Sequence, residues 1–270
     1  LSQVASSASG EGKFSTEMKS SSTFNTWDFD ALWGIVEGAS VSYPYLKNAT
    51  QEPAPGLVEY FAGGSGTTTE PYQIETWEHL NNVRLAPSAH FQLNNDLTPN
   101  VNGYTVFIKD ENGLVDGGKG WLPIESFSGS INGEHDEGVF SITGLKINRP
   151  ASTTGVGLFA ELGQAATVNN LMLTDAVIEG NNKVGIIAGN SSGVLLRVGA
   201  SGTVQANSNA GGLVGLLNYQ DAQTETPSIE RSFAAVEVTA INNIAGGLVG
   251  FVSASNSATI LDSYATGMVT

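Results

Sequence analysis

The stretch Gly211-Gly212-Leu213-Val214-Gly215 recurs almost unchanged as Gly246-Gly247-Leu248-Val249-Gly250. A glycine-flanked apolar pair that recurs within one domain is typical of a stacked repeat, in which each repeat buries its apolar face only against the next. We therefore predict that most of the chain is a β-solenoid.

Ten-residue blocks that begin and end on an aliphatic residue align with these pentapeptides. The blocks are Val168 to Val177, Leu195 to Val204, Ile229 to Val238 and Ile260 to Val269, and the glycine-led strands before them begin at Gly157, Gly185, Gly212 and Gly247. The step from a block end to the next glycine is 8, 8 and 9 residues, whereas the step from a glycine to its block start is 11, 10, 17 and 13. One half of the repeat is therefore fixed and the other half absorbs insertions, as expected of stacked coils.

The block starts advance by 27, 34 and 31 residues, about one coil of a parallel β-helix. Short β-rich segments with glycine at the corners, and no helical periodicity, favour this all-β fold. We expect Ile229 to stack near Ile260 and Val238 near Val269. A β-sandwich with coincidental glycine loops is the alternative fold.

These residues resemble the GLUG repeat, a bacterial extracellular motif found in surface adhesins and in accessory regions of secreted immunoglobulin A peptidases. The best matches are the two pentapeptides with Ser232-Phe233-Ala234 and Ser263-Tyr264-Ala265-Thr266-Gly267 after them. Gly185 to Gly189 is a degenerate copy and Val156 to Phe159 a weaker one, so the resemblance covers 156–270. It implies a right-handed parallel β-helix, export, and adhesion or surface display, and it supplies no catalytic residues.

Segments before the repeats are similar to those that precede such arrays. Tyr72 to Leu80 resembles an entry strand and short helix, and Phe91 to Leu97 the first coil. The segments Phe127 to Gly133 and Ile142 to Ile147 resemble further rungs. We divide the chain into an aromatic-rich capping or inter-subunit segment (1–55), a Gly/Thr-rich linker (56–70) and a parallel β-helix (71–270).

The N-terminal segment holds aromatic residues that are candidates for covering an apolar β-helix end. They are Phe24, Trp27, Phe29, Trp33, Tyr43 and Tyr45. In related proteins a similar stretch follows the array, whereas here it comes first. The sequence is therefore interpreted either as a slice of a longer tandem protein or as a subunit whose head covers a neighbour's open end. The same segment folding back on its own β-helix is equally consistent.

The composition limits the classes of binding partner and the cellular location that we expect. The 11 basic and 26 acidic residues give a net charge of −15, which repels nucleic acid and anionic membrane. No apolar run approaches the roughly 18 residues of a membrane span, so we expect no membrane insertion. Cysteine is absent, which excludes disulfides and thiolate metal sites. The sequence begins at Leu1 without Met and without a basic and then apolar stretch that resembles a signal peptide, so we expect a mature protein or an excised segment. The composition suggests an extracellular, cell-surface protein.

Candidate chemistry is sparse. Glu134, Asp136 and Glu137 could hold Ca²⁺ through oxygen ligands, against the alternative of a solvated acidic turn. The loop from Asp110 to Gly118 lacks the spacing of a calcium loop. Neither His79 nor His90 is expected to lie beside a nucleophile. We predict no catalytic residues and no cofactor beyond this weak calcium site.

The sequence leaves three candidate functions. The repeat, the acidity and the lack of a convergent site favour an extracellular structural or adhesive module and not an enzyme. The expected partners are further copies of the same unit, joined end to end or in tandem, and a glycan or surface ligand. A polysaccharide-binding or polysaccharide-cleaving protein is the alternative. An ice-binding face needs regular threonine rows, and Thr67 to Thr69 and Thr153 to Thr154 do not recur in each coil.

Overall fold

The structure is a computed structural model, and it describes residues 21–24, 26–29, 32–34, 45–46, 60–219, 226–253 and 258–270. The chain forms two compact units, Leu1–Tyr60 and Phe61–Thr270. We call them the N-terminal unit and the C-terminal unit.

The described part of the N-terminal unit contains a 3₁₀ turn and one antiparallel strand pair. The turn is Ser21–Thr23, and strand β1 (Trp33–Gly34) pairs with β2 (Tyr45–Leu46). Trp27 contacts the rings of Phe24 and Trp33, with centroids 4.6 and 4.1 Å apart. Several of the predicted capping aromatics thus form one local cluster.

The C-terminal unit is mostly β-structure. Its strands are β3 (Tyr72–Ile74), β4 (His90–Leu93), β5 (Lys109–Asp110), β6 (Gly113–Leu114), β7 (Ser130–Asn132), β8 (Glu134–His135), β9 (Gly138–Val139), β10 (Ser141–Thr143), β11 (Lys146–Arg149), β12 (Phe159–Leu162), β13 (Thr167–Gly180), β14 (Ala188–Ser191), β15 (Val194–Ala206), β16 (Ala210–Gly211), β17 (Val214–Asn218), β18 (Ser228–Glu230), β19 (Phe233–Ala240), β20 (Ala245–Gly246), β21 (Val249–Ser253), β22 (Thr259–Leu261) and β23 (Tyr264–Ala265).

Helices are few and short. They are α1 (Trp77–Asn82), a 3₁₀ turn (Val83–Leu85), α2 (Tyr104–Phe107) and α3 (Val115–Gly118). Helix α1 begins at the Thr76 cap, whose hydroxyl accepts the His79 N–H at 3.1 Å, as a good N-cap residue does. None of the helices that the structure describes is long and apolar enough to cross a membrane.

Two large parallel sheets are built from strands at equivalent repeat positions. One sheet orders its strands β22-β18-β15-β13-β7-β4-β3, with β10, β11, β19 and β23 extending the same rungs, and the other orders them β12-β14-β17-β21. Among the described residues, antiparallel ladders are confined to three two-stranded pairs, β1-β2, β5-β6 and β8-β9, and one isolated antiparallel bridge joins Gly120 to Ile147. This topology differs from that of a sandwich of antiparallel sheets.

The register joins residues one repeat apart. Val168 pairs with Leu195, Leu195 with Ile229, and Ile229 with Ile260. A bridge joins Val238 and Val269, so the two expected aliphatic stacks are present. We refer below to repeats 1 to 4 as residues 156–180, 184–206, 210–240 and 245–270.

One expected inward residue points outward instead. The block that was expected to end at Val177 has its register shifted between Leu173 and Ala176, and Ile178 pairs with Val204. The cause is Asp175, which has a positive φ of 53° and adds one residue to β13 as a bulge. Val177 is therefore 45% exposed, whereas Ile178 is buried. A slip of one residue reverses the face of every later side chain in a strand.

The start of the C-terminal unit is closed by aromatic packing. Phe61 stacks on Tyr72 with centroids 4.5 Å apart, and the column continues through Phe91, Phe127 and Phe159. Ala62 N–H donates to Gln73 O, and Gln73 N–H donates to Gly63 O, both at 2.9 Å. Ala62 and Gly63, which lie within the segment interpreted as a linker, therefore cover the outer edge of β3.

Candidate functional site

The two pentapeptides that define the repeat lie directly against one another. Gly211 pairs with Gly246 and Val214 with Val249, and Leu213 N–H donates to Leu248 O at 2.9 Å. Each pentapeptide bends sharply. As a result, a Cβ on Gly211 would lie only 2.0 Å from Val214 O. The glycines are therefore required by close backbone approach at this corner.

The last glycine in each pentapeptide lets the backbone approach that of the preceding repeat closely. A Cβ on Gly215 would lie 2.2 Å from Val184 N, and one on Gly250 would lie 2.7 Å from Gly215 O. The last glycine of the motif thus serves contact between neighbouring repeats.

Serines at one repeat position form hydrogen bonds from repeat to repeat. Ser232 Oγ donates to Glu230 O at 2.8 Å and accepts the Val198 N–H of the preceding repeat at 3.0 Å. Ser263 Oγ does the same one repeat later, with Leu261 O at 2.8 Å and Ser232 N–H at 3.0 Å. The serine of each copy satisfies the amide that the previous corner leaves unpaired.

Sequence reasoning missed the residue at each of these corners. The third residue of every block has a positive φ between 49° and 54° although none is glycine: Asn170, Arg197, Arg231 and Asp262. This left-handed conformation is uncommon for residues other than glycine and turns the strand within the block. Only the shared spacing from the block start could have indicated it.

Repeat 4 exposes apolar side chains that earlier repeats bury. Ile260 is 45% and Val269 44% exposed, against 0% and 1% for Ile229 and Val238. Others in the same repeat are also exposed, namely Phe251, Val252, Leu261, Tyr264 and Met268. The outer edges of β21, β22 and β23 have no neighbouring strand among the described residues. Such an edge is a template for another strand.

An aromatic pair continues this surface. Phe233 and Tyr264 stack with centroids 5.6 Å and planes 13° apart. The Phe233 ring fits here because Gly199 has no side chain. A Cβ on Gly199 would lie 2.6 Å from this ring. Tyr264 is 58% exposed, so it adds to the apolar surface of repeat 4.

The predicted end-capping residues are only partly described. Phe24, Trp27, Phe29 and Trp33 share ring contacts, and Trp27 is exposed. Tyr43 lies outside the described residues, and Tyr45 is placed in β2. The cluster presents an indole at its surface.

One expectation about the histidines is wrong. Because β4 and β7 pair in register, His90 lies opposite Ser130, and His90 Nδ1 is 2.6 Å from Ser130 Oγ. The other ring nitrogen faces Thr68 Oγ1 at 3.2 Å, a hydroxyl and not the carboxylate of a catalytic triad. His79 instead accepts the Glu75 N–H at 3.2 Å, and burial lowers the pKa of His79 against the opposing effects of Glu75 and Glu78.

The acidic cluster occupies a hairpin. Glu134 and His135 in β8 pair with Val139 and Gly138 in β9, so Asp136 and Glu137 form the turn between them. Glu134 accepts a hydrogen bond from Asn170 Nδ2 at 3.2 Å. Within the described ranges, no group of three His, Cys, Asp or Glu side chains is arranged to hold a metal ion.

The loop from Asp110 to Gly118 contains a second hairpin. Asp110 in β5 pairs with Gly113 in β6, and Asp110 Oδ1 accepts the Asn112 N–H at 2.8 Å. This is the local bond by which Asp favours a turn. The carboxylate is thus engaged within the turn itself.

Comparisons with known proteins give relatives by sequence and a similar solved structure, and the chain spans only a small part of the length of those relatives. No protein-family model matches the chain, so membership of the GLUG repeat family stays a prediction. The chain is 32% identical over 190 residues to halomucin of Haloquadratum walsbyi, covering 67% of the chain and 2% of halomucin. It is 40% identical over 144 residues to a candidate Gly-rich membrane protein of Evansella cellulosilytica, covering 50% of the chain and 15% of that protein.

Among solved structures, a candidate immunoglobulin A1 protease from Bacteroides ovatus has a similar fold. The TM-score is 0.57 with 19% sequence identity, over 78% of this chain and 70% of that one. At this identity the likeness concerns the fold alone.

Proposed function

We propose that the chain is an extracellular structural or adhesive module of a bacterial surface protein or fibre, built as a right-handed parallel β-helix. The observation that carries the proposal is the register, in which Leu195 pairs with Val168 before it and Ile229 after it. An array with only nearest-neighbour contacts gains surface in proportion to its number of repeats. Right-handedness is favoured because parallel strands joined by a crossover are almost always connected in that sense.

Two observations support the surface location. The relatives are named halomucin and a Gly-rich membrane protein, and the chain matches only a small share of each. The net charge of −15 keeps an exposed array soluble. A module repeated within a long surface protein is consistent with both.

Self-association end to end, or through tandem copies, completes the proposal. The apolar side chains of repeat 4 would be covered by another rung, and the free edges of β21, β22 and β23 would gain a parallel or antiparallel neighbour. The Trp27 cluster of the N-terminal unit offers an apolar surface to a second copy. The start of the C-terminal unit is a poorer partner, because Ala62 and Gly63 already occupy the edge of β3.

Light scattering after size-exclusion chromatography tests the association. We expect the average mass of the wild-type chain to rise above that of one chain as concentration increases. Ile260→Lys should keep the chain monomeric, because a charge within the apolar surface of repeat 4 opposes burial. Val177→Lys is the matched control, since Val177 is as exposed as Ile260 but lies on the outer face of β13.

Further variants identify the surface that binds repeat 4. If Trp27→Ala also abolishes association, the N-terminal cluster is the partner of repeat 4. A wild-type chain that stays monomeric at high concentration would contradict association of free copies and leave tandem copies as the source of the next rung. Equal loss in Val177→Lys would show that any added charge is sufficient.

Polysaccharide binding is a second candidate function. A shallow cavity of about 280 Å³ crosses three successive strands and is lined by polar side chains, among them Glu179, Thr203, Gln205, Glu237 and Thr239. Binding on a glycan array that is lost in Gln205→Ala would favour it. Calcium binding and the lack of enzymatic activity stay predictions.

A further inference from the structure

A cavity of about 440 Å³ lies apart from the repeat surface, between the turn after β6 and the turn after β11. Its wall includes Gly117, Lys119, Asn148, Arg149, Pro150 and Ser152. This volume is within the range of small-ligand sites. Nothing in the adhesive proposal uses these residues.

Arg149 is held rigidly at the wall of this cavity. Its Nη2 donates to Asp116 Oδ2 at 2.7 Å and to Gly120 O at 3.3 Å, and its Nε donates to Trp121 O at 3.1 Å. Its Nη1 makes no hydrogen bond to the described residues. A guanidinium fixed by two of its nitrogens presents the third as a pre-organised donor.

A second cation shares the wall. Lys119 is exposed, and its ammonium group forms no hydrogen bond or ion pair within the described part of the chain. In a chain with net charge −15, two cations beside a single paired carboxylate form an unusual local surface. Together Lys119 and Arg149 favour an anion.

Asn148, a residue of the cavity wall, carries an unused acceptor. Asn148 Oδ1 is buried and has no hydrogen-bond partner, which is unfavourable unless a donor reaches it. An anion cannot satisfy this oxygen, because both are acceptors, whereas a hydroxyl group can. A ligand that matches the whole cavity therefore carries both a negative charge and hydroxyl groups.

Space and apolar surface are available for such a ligand. A Cβ on Gly117 or Gly118 would meet nothing within 4 Å, so the backbone there is open to solvent. Pro150 and Ala151 offer an apolar wall to the C–H groups of a sugar ring. Volume and lining fit one or two sugar rings.

We propose that this cavity binds an acidic sugar, with its carboxylate or sulfate between Lys119 and Nη1 of Arg149 and a ring hydroxyl donating to the Asn148 amide oxygen. The proposal does not rest on end-to-end association, since the cavity and repeat 4 share no residues. It assigns a ligand class to a site outside the repeat motif.

Titration of the full chain with small probes, followed by ¹H–¹⁵N NMR, tests the site. We expect glucuronate or glucose 6-sulfate to shift the amide signals of residues 117–119 and 148–152, and glucose and inorganic sulfate to leave them unchanged. The binding of the acidic sugar should weaken as salt is added. Comparing glucuronate with glucose 6-sulfate identifies which anionic group is preferred.

Three variants make the test specific. Lys119→Met should weaken binding at least tenfold, and Asn148→Ala should weaken it severalfold. Lys109→Met is the matched control, because this exposed lysine lies in the neighbouring hairpin outside the cavity, and it should leave binding unchanged. Equal binding of glucose or of sulfate, full binding by Lys119→Met, or equal weakening by Lys109→Met would each overturn the proposal.

Discussion

At the scale of single residues, glycine and serine meet the steric and hydrogen-bonding requirements of individual backbone groups. Gly211 is needed because any side chain would collide with Val214 O. Ser232 is needed because its hydroxyl is the partner of the buried Val198 N–H. Spacing in the sequence identifies both as repeat positions. Their physical purpose depends on which atoms of the neighbouring repeat they meet, and this becomes visible only in the folded chain.

Removing the Ser232 hydroxyl should therefore destabilise the array. Ser232→Ala leaves Val198 N–H and Glu230 O without this partner at a site that is almost fully buried. A buried group left unsatisfied costs about 1–3 kcal/mol, so we expect a loss of that size. The free energy of unfolding from urea titration measures it.

Thr203→Ala is the control for this prediction, since Thr203 is exposed on the outer face of β15. Exposed substitutions of this kind change stability by within about 0.5 kcal/mol. Equal effects of the two substitutions would show that the serine hydrogen bond between repeats is not important for stability.

At the scale of elements, the aliphatic stacks could be predicted from the sequence, because strands that pair in parallel one repeat apart bring residues of equal spacing together. The pairs Ile229–Ile260 and Val238–Val269 follow from that spacing alone. The bulge at Asp175 could not be predicted, since Val177 and Ile178 are both aliphatic and either could face inward. The contact of His90 with Ser130 needs the register of two strands separated by a long loop.

Corner residues give a prediction at this scale. Arg231 has a φ of 49°, and its exposed side chain forms no hydrogen bond or ion pair within the described residues. Glycine tolerates this conformation and a β-branched residue does not. We expect Arg231→Gly to keep or slightly raise stability and Arg231→Val to lower it by about 1–2 kcal/mol.

The same two substitutions at Glu237, an exposed position inside β19, supply the comparison. There the order should reverse, because glycine weakens a strand interior and valine favours it. Midpoints of urea unfolding for the four variants measure both orders. An identical order at the two positions would contradict a left-handed corner at Arg231.

At the scale of the whole molecule, the described residues of the C-terminal unit bury aromatic rings at its first strands and expose apolar side chains in repeat 4. Phe61 and Tyr72 close the aromatic column at the start, whereas Ile260 and Tyr264 are exposed in repeat 4. In an array held by nearest-neighbour contacts, a repeat with one neighbour is less stable than a repeat with two. Stability should therefore decrease along the chain towards repeat 4.

Hydrogen exchange followed by mass spectrometry tests this gradient and the assembly together. At low concentration we expect strong protection of β13 and β15, which have paired strands on both sides. We expect weak protection of β22 and β23, each of which has a paired strand on one side among the described residues. At high concentration, protection of β22 and β23 should rise while that of β13 stays constant, because only repeat 4 gains a neighbour. In Ile260→Lys that rise should disappear. Uniform protection across all four repeats at low concentration would contradict the nearest-neighbour array, and a rise spread over the whole chain would contradict association through repeat 4.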